Sequence, residues 1–266
     1  DLRVFDAVVR SADGIVCLTD EELELVQRRF RYTPEAEVIG IGLDVHPHAD
    51  GARFRAAHGL GDDPYLIVVG RIDPGKGSDE AHRYFLEYKR RFGGPLKLVV
   101  LGEPVLTLDP HPDVVITGFV DEQTKVDGIV GSMALVQPSY FESFSLALCE
   151  GWVCRRPAIV QGRCEVLVGQ SRRSGGGIPY RSFAEFAAIV AHLGGAPELR
   201  DAMVRSFAKH LVQTTGAEEV TLYLRRHLIA PPQEVAQGAK LDDPRYEQLI
   251  TTDRRGGKTI TLRRRT

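Results

Sequence analysis

Two carboxylates and a helix start define the stretch of this chain best suited to chemistry. Glu142 and Glu150 lie with seven residues between them in ALVQPSYFESFSLALCEGWVCRRPAIVQ (134–161). The stretch opens with an apolar run, Ala134 to Gln137, that reads as a buried strand, and Pro138-Ser139 breaks it. The spacing predicts a helix from about Ser145 carrying Glu150, then a second apolar strand near Pro157, which is the rhythm of a βαβ unit. Glu142 is thereby expected over the carboxyl end of a strand, where open α/β sheets bind ligands. The backbone N–H groups of Ser143, Phe144, Ser145 and Leu146 are expected at a helix N-terminus, a site suited to an anion such as phosphate. Each acid also has an ordinary reading, Glu142 as a helix-dipole partner and Glu150 as a solvated helix residue.

A second chemical stretch follows the apolar run 65–70. In GRIDPGKGS, Gly70, Gly75 and Lys76 satisfy G-x-x-x-x-G-K, so a phosphate-loop NTPase is one reading. That motif needs Ser or Thr directly after the lysine to hold magnesium. Here Gly77 takes that place, Ser78 comes one residue late, and Pro74 strains an anion-cradling loop.

Taken whole, PSYFESFSLALCEGWVCRRPAIV resembles the E-x7-E segment of the retaining, two-Rossmann-domain (GT-B) glycosyltransferases of family 4, with no insertion. GRIDPGKGS resembles that family's V-G-R-x-x-x-x-K-G loop, and the two motifs fall in the family's order. The resemblance implies that Arg71 and Lys76 clamp the donor's diphosphate and stabilise the charge left on the departing β-phosphate. It implies that Glu150 accepts hydrogen bonds from the ribose and that Glu142 touches the donor sugar's hydroxyls. GFVDEQTK (118–125) resembles the stretch that lines the nucleobase, with Val120 offering backbone groups and Lys125 its amine. For Lys125, a solvated place on an amphipathic helix is an equal alternative. Arg163 and Glu165 lie in a loop that the family often places near the donor, and a surface role explains them equally well.

By that resemblance the chain is the donor-binding half of a retaining hexosyltransferase. It takes a nucleotide-sugar as donor substrate and passes the sugar to an unassigned acceptor (a glycan, lipid or small molecule). No cofactor and no metal is expected. No Asp-x-Asp pair occurs in a suitable loop, Asp62-Asp63 and Asp242-Asp243 are adjacent turn charges, and His46 and His48 flank a proline. The alternative from another class is a non-catalytic nucleotide-binding or interaction module of the same fold.

The composition agrees with a globular α/β protein. The 266 residues are 43% hydrophobic and 26% charged, and 34 basic against 36 acidic side chains give a formal charge of −2. Such a balance argues against general nucleic-acid binding. Four cysteines without C-x-x-C spacing read as reduced thiols in a cytoplasmic protein, with peripheral membrane attachment through a missing N-terminal domain as a variant. No transmembrane-length segment or signal peptide is visible. The chain starts at Asp1 without Met, so a fragment or processed product is expected.

Stepping of strands and helices predicts a Rossmann-like, doubly wound parallel sheet, the C-terminal half of a GT-B fold, with a remnant of the N-terminal domain. Residues 1–45 read as that remnant and its linker: a helix end, the strand 14–19, a helix opened by a Thr19/Glu22 capping box, and a strand from 36. Residues 46–230 read as the donor-binding domain, ending in helices at 182–193, 197–213 and 217–228. For residues 231–266 a solvated basic tail is favoured over a hairpin or the start of a further domain. With most of the first domain absent, weak donor binding and poor turnover are expected of this chain alone.

Overall fold

The computed structural model describes residues 2–30, 35–41, 43, 48–196, 198–203, 219–224, 246–252 and 258–264. Strand β3, Tyr65–Val69, is the centre of the molecule. Its sequence YLIVV is apolar throughout, as a parallel strand covered on both faces requires. Alternate side chains enter two cores. Tyr65 and Ile67 join Phe54, Ile129, Leu148 and Trp152 on one face, whereas Leu66 and Val68 join Phe85, Tyr180, Phe186 and Val190 on the other. Trp152 is fully buried, and its Nε1 donates to the Gly176 carbonyl at 3.1 Å. Burying a large side chain of this kind contributes about 1.5–3 kcal/mol.

Around β3 lie β4 (Lys97–Leu101), β5 (Val114–Gly118), β6 (Ala134–Gln137), β7 (Ala158–Gln161) and β8 (Gly177–Tyr180). The sheet order is β5-β4-β3-β6-β7-β8, and every neighbouring pair is parallel. Pro179 lies on β8, an edge strand, where the missing N–H does no harm. The chain runs outward from β3 to β5, then returns to the other side of β3 to begin again at β6. The crevice between β3 and β6 is therefore the topological switch point.

Helices close both faces. They are α3 (Gly51–Ala57), α4 (Ser78–Phe92), α5 (Glu122–Gly131), α6 (Leu146–Val153), α7 (Glu165–Ser174) and α8 (Phe183–Gly195). The sequence reading passed over α3, although Asp50 caps it by accepting from the Ala52 N–H at 3.0 Å. Ahead of this domain come α1 (Leu2–Ser11), β1 (Gly14–Cys17), α2 (Asp20–Phe30) and β2 (Glu35–Val38). Strands β1 and β2 pair in parallel as a separate two-stranded sheet. Helix α2 rests on α7, where Gly169 leaves room for the Glu21 carboxylate and Arg173 pairs with it.

Two expectations change. A helix was expected over 217–228, but Glu219–Leu224 is strand β9. The segment EVTLYL alternates Val, Leu and Leu with Thr and Tyr, and this period of two, rich in strand-forming residues, overrides the helical pattern. The favoured solvated tail is likewise replaced, because Tyr246–Thr252 (β10) and Lys258–Arg264 (β11) pair antiparallel and β11 pairs with β9. The expected helix beyond residue 203, His46 and the Asp242-Asp243 pair fall outside the described residues.

The two halves of the switch point touch through backbone. Gly77 has φ +68°, and a Cβ added there would run into the Pro138 carbonyl. Gly77→Ala is therefore expected to destabilise the protein by about 1–3 kcal/mol in denaturant unfolding. Gly75→Ala, whose Cβ meets only the Asp73 carboxylate at 3.2 Å, is expected to cost less.

Candidate functional site

At the carboxyl end of β3 the chain turns through a single 3₁₀ turn, Pro74–Lys76, before α4. Asp73 organises this turn. Its Oδ1 accepts from the Lys76 backbone N–H at 3.0 Å and its Oδ2 from Arg71 Nε at 2.7 Å. The backbone bond to Lys76 holds the Asp73 carboxyl below the usual carboxylate range; partial burial opposes this and Arg71 adds to it. Arg71 is otherwise exposed, and its two terminal nitrogens have no protein partner among the described residues. Gly70 begins the loop and donates its N–H to the Leu101 carbonyl at 2.9 Å.

From the other side of the crevice, the loop after β6 presents Glu142. Lys76 Nζ donates to Glu142 Oε1 at 2.8 Å, across 66 residues of sequence. The Glu142 side chain is only 10% exposed and that of Lys76 39%. Gln137, the buried last residue of β6, donates its Nε2 to the same Glu142 oxygen at 3.1 Å and to Ser145 Oγ at 2.8 Å. A polar residue closing an apolar strand was the one available sign of Gln137, and the sequence reading passed over it together with Asp73. Arg71, Lys76 and Glu142 thus share one edge of the sheet.

Ser145 turns the loop into α6 with φ 70° and ψ 81°, a left-handed conformation uncommon outside glycine. Of the four residues expected at the helix N-terminus, only Leu146 lies within the helix. The N–H groups that open α6 belong to Leu146, Ala147 and Leu148, because Ser145 is the cap and Ser143 and Phe144 precede it. Phe144 is buried in the core beside Leu148, and its carbonyl accepts from Gln170 Nε2. The Ser143 carbonyl accepts from Thr19 Oγ1 at 3.1 Å.

One turn into α6, Glu150 Oε1 accepts from Lys125 Nζ at 2.8 Å. Lys125 also pairs with Glu122 at 2.9 Å. Burial pulls the Lys125 ammonium downward, but its bonds to Glu150 and Glu122 outweigh that and its pKa is raised. The solvated reading of Lys125 is therefore set aside. Val120, half-buried, packs against the core cluster that includes Phe144, and the neighbouring Phe119 is exposed. Glu165 pairs with Arg28 of α2 at 2.5 Å, and both side chains are exposed. Ser78 is buried and its Oγ donates to the Arg71 carbonyl at 3.4 Å, so it does not offer a magnesium ligand and the NTPase reading loses its metal-binding hydroxyl. Among the described residues there is no group of three or more His, Cys, Asp or Glu placed to hold a metal ion.

Fold and site together define a doubly wound α/β protein with a charged crevice at its switch point. Residues 51–171 match the family described as glycosyl transferases group 1. The chain is 27% identical over 238 residues to an alpha-D-kanosaminyltransferase of Streptomyces kanamyceticus, covering 81% of this chain and 61% of that protein. It is 27% identical over 229 residues to a D-inositol 3-phosphate glycosyltransferase of Streptomyces bingchenggensis, covering 77% of this chain and 50% of the relative. Among solved structures, an Anabaena protein, HepE, in complex with UDP-glucose superposes with TM-score 0.67 at 13% identity, covering 80% of this chain and 63% of that one. The sucrose-phosphate synthase of Thermosynechococcus elongatus superposes with TM-score 0.64 at 18% identity, covering 80% and 57%. Over residues 51–171 the chain is thus similar to the glycosyl transferases group 1 family, and its fold is that of the GT-B glycosyltransferase structures. It spans between half and about three fifths of the length of these two curated relatives.

The lowered Asp73 pKa gives a pH prediction. A carboxyl whose folded-state pKa is depressed stabilises the fold above its unfolded value, near pH 4, and that stability is lost as pH falls through the folded pKa. In urea titrations between pH 7 and pH 3, Asp73→Asn is expected to show a shallower acid loss of stability than wild type.

Proposed function

We propose that the chain is the donor-binding half of a retaining, family 4 glycosyltransferase that draws a hexose from a nucleoside diphosphate. The observation that carries this reading is the Lys76–Glu142 pair, a cation and an acid meeting across the switch point beside the start of α6. A nucleoside diphosphate sugar presents both complements in sequence, a dianionic bridge and then a ring of hydroxyls. The HepE structure holding UDP-glucose supports such a donor by analogy of fold.

In this mechanism Lys76, the free face of Arg71 and the N–H groups opening α6 receive the diphosphate. As the bond between the anomeric carbon and the β-phosphate oxygen breaks, its electron pair stays on that oxygen, and these donors stabilise the charge. Glu142 accepts from the sugar hydroxyls and offsets positive charge developing on the ring. Glu150, held by Lys125, accepts from the ribose, and Val120 lines the base. The acceptor oxygen attacks on the face the phosphate leaves, and its proton passes to a phosphate oxygen, so configuration is retained without a metal step. The acceptor is a glycan, lipid or small molecule, and the protein works in the cytoplasm. Among the described residues no helix is long and apolar enough to cross a membrane.

Calorimetric titration with UDP and GDP tests the reading. Wild type is expected to bind one of them, and Lys76→Ala to weaken that binding by roughly tenfold or more, the loss of one charge-assisted contact. Absence of heat with both nucleotides and with their hexose conjugates would falsify the proposal.

A further inference from the structure

A second carboxylate lies buried behind the crevice. Glu80, on the first turn of α4, is 8% exposed, and both of its oxygens are occupied. Oε2 accepts from the Tyr140 hydroxyl at 2.7 Å, and Oε1 accepts from Gln161 Nε2 at 2.7 Å. These partners come from separate crossovers. Tyr140 stands two residues before Glu142 in the loop after β6, and Gln161 ends β7. Glu80 itself follows Lys76 by four residues, one turn along from the cation loop. A single carboxylate on α4 therefore joins the crossover that follows β3 to the loop after β6 and to the end of β7.

Core packing does not ask for an acid here. The next residue, Ala81, is buried in the apolar cluster with Phe85, and burying a carboxylate costs several kcal/mol unless its lone pairs are satisfied. What the acid supplies is a directional anchor for Tyr140. That hydrogen bond to Glu80, together with burial, raises the Tyr140 phenol to about 12, so it remains a protonated donor throughout the neutral range. On the far side of Glu142 the loop is fixed by the Gln137 bond to Ser145 Oγ and by the Thr19 bond to the Ser143 carbonyl. On the near side it is fixed by Tyr140 and by Ser139 Oγ, which donates to the Phe141 carbonyl at 3.0 Å. Glu142 hangs between these two supports.

We propose that Glu80 is a positioning residue for Glu142, acting through Tyr140 to hold the acid-bearing loop at the height where Glu142 meets Lys76 and a donor sugar. The assignment rests on the reading of the crevice as a sugar-nucleotide site. It differs from a stability role in what it predicts. Glu80 and Tyr140 govern the part of donor affinity that the sugar contributes, and leave the diphosphate part to Lys76 and Arg71.

The test compares affinities of the chain for a nucleoside diphosphate and for its hexose conjugate, chosen from UDP- and GDP-hexoses as the pair wild type binds. Tyr140→Phe and, independently, Glu80→Gln are expected to keep the nucleoside diphosphate affinity within about twofold. Both are expected to weaken the conjugate by roughly tenfold, the effect of one hydrogen bond to a charged group. In a Glu142→Gln background, Tyr140→Phe is expected to add nothing further, since its effect passes through Glu142. Equal weakening of both ligands, no weakening of either, or full additivity with Glu142→Gln would overturn the assignment. A wild-type chain that binds no conjugate overturns the underlying reading instead, and that titration alone distinguishes the two failures.

Discussion

The arrangement depends on one contact made across the centre of a parallel sheet, the 2.8 Å bond from Lys76 to Glu142. Sheet topology makes the contact possible. Because β3 and β6 are parallel neighbours, the loops that leave them emerge on the same edge, and the chain reverses its order between them. The close approach of Gly77 to Pro138 then brings the two loops together. Beyond the single 3₁₀ turn Pro74–Lys76, neither loop has regular structure of its own to hold it. The 3₁₀ turn is fixed by Asp73, and the acid loop by Gln137, Thr19 and Tyr140.

A pair of this kind is poor evidence for stability. Glu142 is largely removed from water while Lys76 is partly exposed, so desolvation offsets much of their attraction. Its physical meaning lies in charge balance. Without a ligand, the cation aimed at the crevice is neutralised by the acid opposite, and Lys125 is neutralised in the same manner by Glu150 and Glu122. In the proposed function, a diphosphate entering the crevice replaces a carboxylate as the partner of Lys76 and frees Glu142 for neutral hydroxyl donors. Arg71 differs, since Asp73 engages only its Nε and leaves the forked face open.

Much of this was legible in the sequence because burial on both faces writes itself plainly. The runs YLIVV and ALVQ contain almost nothing polar, and the Rossmann-like order of elements follows from them. The motif strings placed Arg71, Lys76, Glu142 and Glu150 on the crossovers they occupy. What sequence could not supply was pairing. Lys76 and Glu142 are 66 residues apart, and Lys125 and Glu150 are 25 apart, with no local signal linking them. Gln137 was hidden because one polar residue closing an apolar strand looks like noise, and Glu80 because an acid in the polar first turn of a helix reads as solvated until its partners are seen. The backbone of Ser145 was hidden too, because its left-handed conformation is imposed by the tight strand-to-helix turn rather than by residue type. Strand β9 was misread as helix where alternation and helical spacing overlap within six residues.

A crystal structure of the chain with a bound nucleoside diphosphate hexose is the most direct examination of the central claim. The account predicts the diphosphate between Arg71, Lys76 and the first N–H groups of α6, with the Lys76–Glu142 bond opened and Glu142 turned to the sugar hydroxyls. A ligand seated at the amino ends of the strands, or a diphosphate bound with that ion pair still closed, would contradict it.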